Sequence, residues 1–96
     1  MIYELSISEA AENDISEAFL WYEMQKENLG FEFEKYLVKT IDHIQQKPDL
    51  IQIRYNKIRV AFLNKFPYGI HFVISNNQVL IVAVFHTSRD PEKWPK

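Results

Sequence analysis

The sequence predicts an α+β domain in which a helical hairpin packs on an antiparallel sheet, and three features carry that prediction. Apolar residues recur at helical spacing twice between Ser8 and Pro48. Leu29-Gly30 is the one break inside that half. After Pro48 the repeat changes to strict alternation, the period of strands. The predicted order is β-α-α-β-β-β with a short C-terminal helical turn.

Each element has its own local signal. Residues 2–7 (Ile-Tyr-Glu-Leu-Ser-Ile) form a first strand. Ser8 then suits an N-cap, and Glu9, Glu12 and Asp14 place negative charge where the helix dipole favours it. Ala11, Ile15, Ala18, Phe19 and Tyr22 make one apolar stripe, and Gly30 is the expected left-handed cap. Phe33, Leu37, Ile41 and Ile44 carry a second helix that Lys47-Pro48 stops. So short a break makes the two helices an antiparallel hairpin.

In the second half, Leu50 to Tyr55 is a candidate for one further short strand beyond that order, and Tyr55-Asn56-Lys57 reads as a turn. Ile58 to Lys65 alternates, with Ile58, Val60 and Phe62 on one face and Arg59, Ala61 and Leu63 on the other. Pro67 and Gly69 punctuate, Ile70 to Ser75 is a strand, and Asn76-Asn77 suits a two-residue hairpin. Val79 to Phe85 is almost wholly apolar, as a central strand covered on both faces would be. Asp90-Pro91 opens the last helical turn.

The 96 residues fit a single domain, 1–96, with 47% apolar content for its core. No cysteine is present, which excludes disulfides, thiolate catalysis and cysteine zinc sites and fits a reducing compartment. The N-terminus lacks the pattern of a signal peptide and no segment is long enough to span a bilayer, so a soluble, cytoplasmic protein without membrane contact is expected. Net charge is −2, but residues 1–50 carry eleven acids and four lysines while residues 51–96 carry two acids and seven basic residues. Such a split marks either a face for polyanions or acidic partners, or simply the preference of helices for Glu.

Few residues carry candidate chemistry. His86 ends the buried strand, either as a general acid or base or as a strand-end histidine bonded to backbone. Arg59 sits inside an apolar strand, and its guanidinium either binds phosphate from a rigid mount or bridges to a helix carboxylate. Lys65 and Tyr68 bracket Phe66-Pro67 at a strand corner, as a positive charge and a hydrogen-bonding or stacking ring for a partner. Arg89 either joins His86 in binding an anion or pairs with Asp90 or Glu92, and Trp94 either anchors the tail on the sheet or serves as a ligand platform. His43, His71 and His86 fall on separate elements without metal-ligand spacing, so no metal is expected. With two glycines there is no phosphate-cradling loop, and no cofactor is expected.

The chain resembles the RelE/ParE family of bacterial toxins, the toxin half of type II toxin–antitoxin pairs, and within it the ParE-like, plasmid stabilisation branch. The resemblance spans nearly the whole length. It rests on Trp21-Tyr22-Glu23, Leu29-Gly30 with Phe33, Pro48, Ile58-Arg59 and Phe66-Pro67-Tyr68, and above all on Ala83-Val84-Phe85-His86 followed by Arg89-Asp90-Pro91 and Trp94. It implies the β-α-α-β-β-β fold and a cognate antitoxin whose flexible segment folds across the toxin, with the free chain a monomer or loose dimer. ParE-like members inhibit DNA gyrase. RelE-like members are enzymes that cleave mRNA in the ribosome, and in that case His86 would be the general acid or base and Arg59, Lys65 and Arg89 would stabilise the phosphorane, with Tyr68 orienting or stacking on a base. The slightly acidic balance favours the ParE-like activity, since phosphate contacts need cations. An inactive, antitoxin-binding member is the third alternative.

Overall fold

The computed structural model of the protein describes residues 3–88. In chain order these form β1 (Glu4–Ile7), α1 (Glu9–Gln25), α2 (Leu29–Gln46), a single 3-10 turn (Pro48–Leu50), β2 (Ile53–Tyr55), β3 (Ile58–Phe62), β4 (Tyr68–Ser75) and β5 (Gln78–His86). The sheet order is β1-β5-β4-β3-β2, antiparallel except that β1 runs parallel to β5. The sheet is therefore mixed: the two helices carry the chain from β1 at one edge to β2 at the other, and β5 returns to lie beside β1 in the same direction. The segment from Leu50 yields only a three-residue edge strand, since Pro48–Leu50 coils first.

Local signals explain the elements. Ser8 caps α1, its hydroxyl accepting the Ala11 N–H at 3.1 Å. Asn56 and Lys57 both take positive φ, the requirement of a tight two-residue hairpin turn between β2 and β3. The left-handed residue between the helices is Asn28 at φ 69, not Gly30. Gly30 lies instead in the first turn of α2, where a Cβ would fall 2.7 Å from the Phe19 carbonyl oxygen and 2.6 Å from Glu23 Cγ. It is a contact glycine, letting the two helices approach.

One face of the sheet meets the helices. Phe33, Leu37 and Ile44 of α2 and Ala11, Ala18 and Tyr22 of α1 are buried in one core with Ala61, Leu63, Phe66, Ile70, Phe72, Val79, Ile81 and Val84. Tyr22, Phe33, Phe66 and Tyr68 form its aromatic centre, with ring centroids 5.0–6.0 Å apart. The other face carries a second buried row, Val60, His71 and Ala83, in register across β3, β4 and β5, with Ile58 and Phe85. The middle strand is β4, while β5 lies between β4 and β1.

A bulge sets the faces of β5. His71 pairs with Ala83 but Phe72 pairs with Ile81, so Val82 is an extra residue on β5. Val79, Ile81 and Val84 consequently join the helix-side core while Ala83 and Phe85 join the other row. The helical turn expected at Asp90-Pro91, together with Arg89 and Trp94, lies outside the described residues.

Candidate functional site

The bulge at Val82 aims His86. Unbroken alternation from Val79 and Ile81 would put His86 on the face away from the helices. The extra residue moves it to the helix side, where it stands opposite Tyr68 in the β4–β5 register. The two rings meet edge to face, centroids 5.3 Å apart at 76°. They line a cleft of about 240 Å³ between the end of β5 and α1, whose wall is Asp14, Glu17 and Trp21. These three follow the i, i+3, i+7 spacing of one helix face.

Helix α1 closes the edge of β5 beyond the reach of β1. Pairing of β1 ends at Ile7 with Ile81. Past it, Ser8 donates its N–H to the Ile81 carbonyl at 2.9 Å, and the Asp14 carboxylate accepts the Val84 N–H at 3.0 Å. The cleft thus has a firm acidic wall.

His86 is held by its own turn. Its Nδ1 accepts the Ser88 N–H at 3.1 Å and lies 2.7 Å from the Ser88 hydroxyl. A backbone N–H only donates, so Nδ1 is an accepting nitrogen and a neutral ring carries its proton on Nε2. The remaining ring nitrogen of the neutral form is then a donor, which suits hydrogen bonding more than taking a proton from a hydroxyl.

The other sequence-predicted residues do not converge there. Arg59, on β3, donates from Nη1 to the carbonyls of Asp49 at 3.1 Å and Ile51 at 2.6 Å. It pins the segment after α2 to the sheet. Arg59 shares its register with Phe72 and Ile81, five residues before His86 and two strands away, a separation of roughly 15–20 Å. Lys65 occupies a left-handed turn position at φ 67 and places Nζ 5.4 Å from the Tyr36 ring centroid. A hydrogen bond to the Tyr36 hydroxyl raises its pKa. Lys65 therefore faces α2, whereas Tyr68, three residues on, faces Tyr22 and His86; burial raises the Tyr68 pKa and keeps its phenol neutral. Arg89 falls outside the described residues.

Two sets of residues escaped the sequence reading. Asp14 is legible only as negative charge near the helix start and Trp21 only within the family resemblance, Glu17 carries no signal, and nothing local tells that β5 passes beneath them. His71 is 2% exposed, and its Nδ1 lies 2.8 Å from the Tyr55 hydroxyl. Among the described residues no group of three or more His, Cys, Asp or Glu is placed to hold a metal ion.

A two-helix hairpin packed on a small, five-stranded mixed sheet defines the α+β class of this protein. The profile of the family described as "ParE toxin of type II toxin-antitoxin system, parDE" matches residues 5–91, and the chain belongs to that family. The fold is also that of a solved structure titled "Chromosomal ParDE TA system from P. aeruginosa", with a TM-score of 0.81, 13% identity, and coverage of 91% of this chain and 98% of that one. No curated protein sequence matches this chain.

Proposed function

We propose that this chain is a ParE-like toxin that arrests growth by inhibiting DNA gyrase in the cytoplasm and is neutralised by a cognate antitoxin. Membership of the ParE toxin family supports the class of activity. The observation that carries the choice of target is the dispersal of the candidate cations among the described residues. Arg59 is spent on two backbone carbonyls, Lys65 faces Tyr36, and the cleft holding His86 is walled by Asp14 and Glu17. In-line cleavage of RNA needs donors gathered around a phosphorane, and carboxylates beside it oppose the developing negative charge. No described helix is long and apolar enough to cross a membrane.

A supercoiling assay with purified gyrase and purified chain tests the reading. Inhibition that disappears on adding the cognate antitoxin is the expected result. Brief induction in bacteria without antitoxin, with mapping of RNA 5′ ends, tests the alternative. New ends inside coding regions that vanish with His86→Ala would replace this reading with a RelE-like mRNA endoribonuclease. Absence of both inhibition and growth arrest would leave an inactive, antitoxin-binding protein.

A further inference from the structure

Helix α2 carries a second stripe, turned away from the core. Its buried residues are Gly30, Phe33, Leu37 and Ile44. Phe31, Glu34, Lys35 and Val38 are all exposed, Phe31 by 57% and Val38 by 50%. Their i, i+3, i+4, i+7 spacing gathers them on one face of the helix. Leu20 and Met24 of α1, also exposed, extend the apolar surface across the hairpin. The Phe31 ring meets Phe19 of α1 edge to face, with centroids 5.0 Å apart, so it is held as a fixed knob. A groove of about 300 Å³ lined by Ile15, Ser16, Phe19, Leu20 and Glu34 adjoins the stripe. Exposed apolar side chains gathered in this way mark an interaction surface.

The order of side chains along the stripe selects the partner. Phe31 and Val38 stand at equal distances from its midpoint, and Glu34 and Lys35 flank that midpoint with opposite charges. A second α2, laid antiparallel across the first by a two-fold axis at the midpoint, sets Phe31 against Val38 of the second copy. The same operation sets Glu34 against Lys35 of the second copy, and every contact then occurs twice. A basic partner would oppose Lys35 and an acidic partner would oppose Glu34. Another copy of this chain answers both charges and both apolar ends. Beyond the stripe, Asp42 falls towards Glu27 of the second copy, a like-charge contact at the rim that keeps the association weak.

We propose that the chain forms a symmetric homodimer through the outer face of α2, with Phe31 and Val38 as its apolar anchors and the Glu34–Lys35 pairs fixing its register. Leu20 and Met24 close the rim on the α1 side. The inference goes beyond the toxin–antitoxin reading and needs neither gyrase nor antitoxin, so either can fail without the other.

Sedimentation equilibrium of the purified full chain, from micromolar to near-millimolar concentration, tests the proposal. The mass should rise with concentration towards twice that of the chain. Glu34→Lys or Lys35→Glu, both at exposed positions outside the core, sets like charges against each other twice and should weaken the dimer roughly tenfold. Combining the two changes exchanges the signs and should restore association. Mixing the two single variants should restore it as well, because each supplies the charges that oppose the other. Lys47→Glu, exposed and off the stripe, should leave association unaltered. A monomer at every concentration, a dimer indifferent to both single changes, or a combined variant and a mixture that associate no better than the single variants would each overturn the proposal.

Discussion

The Asp14 carboxylate of α1 accepts the main-chain N–H of Val84, 3.0 Å away on β5, seventy residues later in the chain. It does for the upper half of β5 what β1 does for the lower half, satisfying an edge that would otherwise stand open. Asp14→Ala leaves that N–H without its acceptor and should cost about 1–3 kcal/mol. Asp14→Asn, which keeps an acceptor oxygen, should cost less. Urea denaturation gives the stability, and faster amide exchange at Val84 would locate the loss.

His71 makes stability depend on pH. Burial lowers its pKa from 6.5 to about 4. Between those values the unfolded chain binds a proton that the folded chain refuses, so acid favours unfolding. The contribution is fully present above pH 6.5 and is lost as pH falls towards 4, by about 3 kcal/mol. Denaturation midpoints measured across this window should fall in the wild type and fall less in His71→Gln.

Arg59 and His86 should separate in their phenotypes. Arg59→Met removes the charged donor that holds the Asp49 and Ile51 carbonyls and should destabilise the fold by about 2 kcal/mol. His86 is exposed, and His86→Ala should change stability by no more than about 0.5 kcal/mol. Thermal melts distinguish the two. A large loss of stability in His86→Ala with none in Arg59→Met would reverse the roles given to them.

Gly30 tests the approach of the helices. An alanine Cβ would lie 2.7 Å from the Phe19 carbonyl oxygen, a backbone atom that a rotamer change cannot move. Gly30→Ala should therefore destabilise by about 1–3 kcal/mol despite its better helix propensity. A stabilised variant would mean that the hairpin adjusts freely at this contact.

The sequence by itself determined what depends on near neighbours. Ser8 as a cap, the apolar stripes of both helices, the turn at Asn56-Lys57 and the alternating faces of β3 each follow from residues within a few positions of one another. Even there Gly30 misled, because its value lies in what crosses it and not in its own φ. Tertiary structure decided the rest. The bulge at Val82 arises from matching β5 to β4, and one extra residue sends His86 to the helix side and into company with Tyr68, Asp14 and Glu17. The carbonyls that occupy Arg59 belong to a segment eight to ten residues earlier that only the fold brings beneath it. A side chain's type sets the chemistry it can perform, but its partners come from strands and helices distant in the chain, and no local pattern encodes those meetings.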